Sequence, residues 1–127
     1  MNGCNDMRYT LDTNVVLYLL GGRLINALPI GDFYISVISE MELLSYSAIT
    51  DEDASRIRDF LAKVTVVSLS EEVKNEAISL RKKYRLKLPD AIVCATALTV
   101  DAALFSNDVQ LKRVTEINVN SVAIQSV

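Results

Sequence analysis

Hydrophobic positions along the chain follow two periods. Short runs rich in β-branched and aromatic residues read as strands: Arg8–Leu11, FYISV at 33–37, TVVSL at 65–69 and Ala102–Phe105. Between them, apolar residues recur every three or four positions. Ala54, Ile57 and Leu61 mark one helical stripe, and Val73, Ala77, Leu80 and Tyr84 mark another. Asp90–Val100 is apolar nearly all round, which predicts the central buried helix. Thr13–Leu20 reads as a helix stopped by Gly21-Gly22, followed by a helical piece at Leu24–Leu28 that ends at Pro29. Ser39–Tyr46 is a further helix. Thr50 and Ser70 are placed to cap the next two, each followed by acidic residues that favour the positive end of the helix dipole. Pro89 suits the first position of the apolar helix. Asp108–Arg113 predicts a short helix, Ile117–Ile124 a last extended segment, and residues 1–7 a flexible tail.

Strands alternating with helices predict an α/β fold with a parallel sheet covered on both faces. The length of 127 residues suits one domain, 1–127. Half the residues are hydrophobic, enough for a core without staples. Cys4 and Cys94 are too few for a disulfide framework, and neither is expected to be bridged, which suits a reducing cytoplasm. The N-terminus MNGCNDMRYT lacks the apolar stretch of a signal peptide, and AIVCATALTV is too short to span a bilayer. The expectation is a soluble cytoplasmic protein without a membrane partner.

Charge and composition narrow the chemistry. A formal net charge of −3 argues against a protein that coats phosphates over its whole surface. The chain contains no histidine, which removes Ser-His-Asp and Cys-His mechanisms and His-ligated zinc. Proton transfer must run through carboxylates, Lys, Tyr, Cys or bound water.

Four carboxylates lie embedded in apolar sequence: Asp12 in YTLDTNVVLYL, Glu42 in SVISEMELL, Asp90 in LKLPDAIVCA and Asp108 in ALFSNDVQL. Each falls near the end of a strand or the start of a helix, and in an open α/β sheet those places share one rim. Each also has an ordinary structural explanation. Ser39-x-x-Glu42 fits a capping box, and Asp12, Asp90 and Asp108 fit helix starts. Together they ask for more. Two carboxylates at about 4 Å repel by about 4 kcal/mol at an effective dielectric of about 20. A hard divalent cation removes that cost and supplies a Lewis acid.

These motifs resemble the PIN-domain ribonucleases, specifically the VapC-type toxins of toxin–antitoxin pairs. The resemblance runs from about Tyr9 to the C-terminus. It rests on LDTNVVLYLL, ISVISEMELL, LPDAIVCATAL and LFSNDVQL, with Asp-x-Asn after a strand and Pro-Asp-Ala opening an apolar helix as the specific parts. Ser106-x-Asp108 matches the family's Thr/Ser-x-Asp, with Asn107 where a basic residue is common. The resemblance implies a three-layer α/β/α sandwich around a parallel sheet of about five strands. It implies an endoribonuclease that uses one or two Mg²⁺ or Mn²⁺ ions. Asp12, Glu42, Asp90 and Asp108 would be the acidic quartet, Asn14 a polar neighbour of the first Asp, and Ser106 a supporting hydroxyl. A small antitoxin and a second copy of the chain are the partners it implies, besides RNA. Leu17, Tyr18 and Leu20 are either such a contact surface or plain core.

Arg81, Lys82, Lys83, Arg85 and Lys87 cluster just before Asp90. They read either as a strip for RNA phosphates or as a solvated helix end where cations favour the dipole. Two other functions remain open. An aspartate-based phosphotransferase using Asp12 would want a second Asp at the position of Asn14. A non-catalytic RNA- or protein-binding module would have no need of the intact quartet.

Overall fold

A computed structural model of the protein describes residues 7–46 and 48–126. The chain runs β1 (Arg8–Leu11), α1 (Thr13–Leu20), β2 (Asp32–Ser36), α2 (Val37–Leu44), α3 (Asp51–Leu61), β3 (Thr65–Val67), α4 (Glu71–Tyr84), α5 (Leu88–Thr99), β4 (Ala103–Phe105), a 3₁₀ turn (Leu111–Arg113) and β5 (Val119–Asn120). The strands form one sheet in the order β3-β2-β1-β4-β5. All neighbours are parallel, with Thr10 beside Tyr34 on one side and Leu104 on the other. The expected α/β/α sandwich around five parallel strands is therefore the observed fold.

Strand alternation feeds two cores. Leu104 joins the cluster formed by α4, α5 and the 3₁₀ turn, including Val73, Leu80, Val93 and Leu111. Its neighbour Phe105 points the other way, into a cluster with Tyr9, Leu11, Val15, Ile35, Leu43 and Ile57. On that second face the Tyr9 ring lies 5.3 Å from both Phe33 and Phe105, so three adjacent strands are tied by aromatic contacts. Helix α5 is buried from Ala91 to Ala97, as its sequence predicts. The small side chains of Ala77, Ala91 and Ala95 sit in the same cluster and let α4 and α5 approach closely. Gly31 is fixed by a close approach: a Cβ there would lie 2.6 Å from the Met7 carbonyl oxygen and 2.7 Å from the Tyr9 ring.

Several local expectations differ from the structure. Leu24–Leu28 is not helical. The backbone at Arg23–Ile25 pairs instead with the C-terminal segment, through an antiparallel bridge between Leu24 and Ile124. A five-residue stretch between a Gly pair and a Pro is too short to hold a helix against that competing pairing. Helix α2 starts at Val37 because the cap is Ser36, whose Oγ accepts from the Ile38 amide at 3.1 Å. Ser39 is consequently inside the helix and buried, and the Ser39–Glu42 capping box does not form. The capping box in this chain belongs to α3, between Thr50 and Asp53. Pro89 is the second residue of α5, and Asp108–Gln110 forms a turn ahead of a single 3₁₀ turn. The tail expected at residues 1–7 lies almost wholly outside the described residues, and so does Cys4; Cys94 is a buried free thiol, as expected.

Candidate active site

In a parallel sheet, a crevice opens where the strand order changes direction. From β1 the chain builds outward to β2 and β3 on one side, and β4 and β5 lie on the other. The crevice therefore lies at the C-terminal ends of β1 and β4. Asp12 follows β1 and Ser106 follows β4, and the Asp12 amide donates to the Phe105 carbonyl at 3.1 Å.

Asp12 occupies the cap position of α1, yet its side chain does not cap the helix. It turns toward β4 and accepts a hydrogen bond from Ser106 Oγ at 2.6 Å. The same Oγ, fully buried, accepts from the Asp108 amide at 3.1 Å. Asp108 Oδ1 in turn accepts from the Gln110 amide at 2.9 Å. One hydroxyl thus joins the first and fourth acidic residues across the crevice. The third, Asp90, is half-buried in the first turn of α5. Glu42, on exposed α2 surface, accepts from Thr13 Oγ1 at 2.7 Å, which draws it toward the start of α1.

The carboxylates share one electrostatic field. Burial pushes the Asp12 pKa up; hydrogen bonds from Ser106 and the Thr13 amide oppose that, and Asp108 and Glu42 reinforce it. Burial also raises Asp90, followed by Asp108, Asp12 and Glu42, while Lys87 opposes the shift. Cys94, one helical turn beyond Asp90, has its thiol pushed up to about 12, first by burial and then by Asp90, Asp12 and Asp108. A thiol so raised stays protonated and inert at neutral pH.

All donors on this rim are oxygens, the chemistry that Mg²⁺ and Mn²⁺ prefer. No group of three or more His, Cys, Asp or Glu side chains among the described residues is arranged as a ready metal cage. The two observations are compatible, because charges act on one another over longer distances than the ~2 Å of a coordination bond. Mg²⁺ is commonly held through one or two carboxylates with water completing its shell, so the donor set fits such an ion without a closed cage.

Other expected site residues are placed as follows. Asn14 is exposed on α1, and the hydroxyl that reaches another member of the quartet belongs to its neighbour Thr13. Sequence reading missed Thr13, because its partner lies 29 residues away. Within the basic run, Lys83 Nζ pairs with Glu116 at 3.1 Å and sits 5.3 Å from the Tyr84 ring centre. Tyr84 is half-buried, and its hydroxyl donates to Glu116. Arg81, Lys82, Arg85 and Lys87 are exposed, and Lys87 is the cap of α5, close enough to act on Asp90. Leu17 and Leu20 line a groove of about 220 Å³ with Tyr46, Ile49 and Ile57. No helix among the described residues is long and apolar enough to cross a membrane.

Comparison with known proteins places these features in a wider set. A family model described as PIN domain matches residues 9–117. No curated protein matches the chain. Among solved structures, a chain of the VapBC2 complex from Rickettsia felis, bound to a promoter DNA fragment, is 20% identical with a TM-score of 0.76, covering 91% of this chain and 99% of that one. A chain of a toxin–antitoxin complex from Klebsiella pneumoniae is 28% identical, with a TM-score of 0.74, covering 86% of this chain and 94% of that one. A chain of DNA-bound VapBC from Salmonella typhimurium is 15% identical, with a TM-score of 0.75, covering 91% and 98%.

Proposed function

Because the chain belongs to the PIN domain family, we propose that it is a divalent-metal-dependent endoribonuclease and the toxin of a toxin–antitoxin pair. The observation that carries this reading is the meeting of Asp12 with the Ser106–Asp108 turn at the switch point of the sheet, in a field shared with Asp90 and Glu42. Asp12 and Asp90 would hold Mg²⁺ or Mn²⁺, directly or through water, with Asp108 and Glu42 completing the site. Bound there, the ion would supply neutralisation of phosphoryl charge and acidification of a water.

The chain's own groups do the rest. Ser106 keeps one oxygen of Asp12 turned into the crevice, and Thr13 does the same for Glu42. Hydrolysis joins a water oxygen to phosphorus and breaks the P–O3′ bond, leaving a 5′-phosphate and a 3′-hydroxyl that takes up a proton. With no histidine in the chain, the proton lost by the attacking water goes to a carboxylate. A mixed RNA pool incubated with Mn²⁺, with and without chelator, tests this directly. Chelator-sensitive products carrying 5′-phosphates are expected; no cleavage of any RNA with Mn²⁺ present would remove the nuclease reading.

Arg81, Lys82, Arg85 and Lys87 are the proposed partners of the RNA phosphates. Lys83 is the weakest of the run for that role, because Glu116 already engages it. Removing the charges of Arg81 and Lys82 should flatten the dependence of log affinity on log salt by about 0.7 for each phosphate no longer neutralised. Equal slopes for wild type and variant would reduce the run to a solvated helix end. The partner proposed for the groove beside α1 is a small antitoxin, and the working unit a homodimer. The solved toxin–antitoxin complexes of similar fold support the first, and the mass of the purified protein with and without its partner tests both.

A further inference from the structure

The backbone ladder between β4 and β5 ends at the edge of the acidic crevice. Phe105 pairs with Asn120, and the Ser106 amide still reaches the Asn120 carbonyl at 3.0 Å. Beyond that point the two backbones no longer pair, and a side chain takes over. Asn107 Nδ2 donates to the Val122 carbonyl at 3.0 Å, and Asn107 Oδ1 accepts from the Val122 amide at 2.7 Å. One carboxamide satisfies both backbone groups of one residue, as a neighbouring strand would. Val122 itself packs against the Tyr9 cluster, so the clamp has a firm base.

The segment on which Asn107 pulls is tied at its far end too. The Ile25 amide donates to the Ala123 carbonyl at 3.0 Å, and the Gln125 amide to the Arg23 carbonyl at 2.8 Å. Arg23 Nε and Nη2 both donate to the Gln125 carbonyl, at 3.1 Å and 3.0 Å. Residues 121–125 therefore form a strap from the acidic turn to the segment that follows α1. At its far side the turn runs into the fully buried Leu111, and Lys112 Nζ donates to Ser121 Oγ at the start of the strap. Its internal bonds run from the Asp108 amide to Ser106 Oγ, from the Gln110 amide to Asp108 Oδ1 and from the Leu111 amide to the Asp108 carbonyl at 3.1 Å, and Val109 between them is exposed.

We propose that Asn107 is a positioning residue: by clamping both backbone groups of Val122 it fixes the turn that aims Asp108 into the crevice. The proposal rests on the metal-dependent nuclease reading for its purpose, though not for its geometry. A loose turn leaves Asp108 to be ordered by the ion itself, which lowers affinity for the ion without changing the reaction once the ion is bound. Groups that orient metal-binding side chains typically change affinity by 10–100-fold when removed.

The test compares wild type, Asn107→Ala and Arg23→Leu. Arg23→Leu removes only side-chain bonds at the distant end of the strap, leaving its backbone bonds and the packed Val122 in place, and serves as the control for general destabilisation. Two quantities are measured: hydrogen exchange at the Asp108 and Gln110 amides of metal-free protein, and the Mn²⁺ concentration that half-saturates both thermal stabilisation and RNA cleavage. Asn107→Ala is expected to speed exchange at both amides and to raise the half-saturating Mn²⁺ roughly ten-fold or more, with the rate at saturating Mn²⁺ close to wild type. Arg23→Leu is expected to lower the melting temperature and leave the half-saturation unchanged. Unchanged amide exchange in Asn107→Ala overturns the proposal, and so does an equal Mn²⁺ shift in Arg23→Leu. If Asn107→Ala does not fold, Asn107→Gln keeps the amide on an arm too long for both bonds and is read by the same outcomes. Loosened amides in a protein whose wild type neither binds Mn²⁺ nor cuts RNA would uphold the clamp and overturn the nuclease reading instead.

Discussion

Replacing Asp12 by Asn is expected to abolish metal-dependent RNA cleavage, with a loss on the order of 10²–10⁴-fold or greater, while the protein remains folded. Asn has the same shape, and its carbonyl oxygen still accepts the hydrogen bond from Ser106, so the crevice keeps its form. What disappears is the charge that would attract the ion. The sign of the stability change is opposite to that of activity. Burial raises the pKa of Asp12 above its unfolded value of 3.8. Between those two values the native state binds more protons than the unfolded chain, so stability falls as pH rises through the window and stays lower above it. Asn removes that loss. Metal-free Asp12→Asn protein should therefore melt above wild type at neutral pH, and the difference should close as pH falls below about 4. Mn²⁺ should reverse the order, because a ligand bound only by the native wild type stabilises it by about 2.7 kcal/mol at 100 times the dissociation constant. Melting curves with and without Mn²⁺ at two pH values read all of this. Wild-type cleavage by pure Asp12→Asn protein would remove Asp12 from the reaction.

Ser106→Ala is expected to weaken Mn²⁺ binding by roughly 10–100-fold. The hydroxyl is fully buried and serves two partners, donating to Asp12 and accepting from the Asp108 amide. Without it, a half-buried carboxylate loses a hydrogen bond to a charged group, which is worth about 1.5–3 kcal/mol, and the turn carrying Asp108 loses its internal tie. Ser106→Thr keeps the hydroxyl and should retain most of the affinity, at some cost in packing at this buried position. Titration of Mn²⁺ against thermal stability compares the three proteins. Equal affinity in Ser106→Ala and wild type would show that Asp12 and Asp108 are held by other means.

Much of the fold was legible because parallel strands and buried helices leave strong periodic patterns. The apolar circumference of α5, the stripe on α4 and the caps at Thr50 and Ser70 all appear as read. Errors fell where local signals compete. Ser36 and Ser39 are both good caps, and only the extent of β2 decides between them. Leu24–Leu28 carries helix-forming residues, but the C-terminal segment claims the backbone at its start, Leu24 and Ile25. Asn107 reads in sequence as a departure from a family pattern, and its role depends on Val122, 15 residues along the chain.

The sequence by itself determined which carboxylates lie embedded in apolar stretches and that no histidine is there to share their chemistry. It also determined the strand–helix alternation, since side-chain periodicity is a local property of the backbone. Only the tertiary structure decided which groups meet. The strand order brings β1 beside β4, so that Ser106 reaches Asp12 across 94 positions of sequence. It likewise pairs Thr13 with Glu42, withdraws Lys83 to Glu116 and hangs the Asp108 turn on the C-terminal strap. Hydrogen bonds and ion pairs depend on distance in space, and in a parallel sheet that distance is set by strand order rather than by position along the chain.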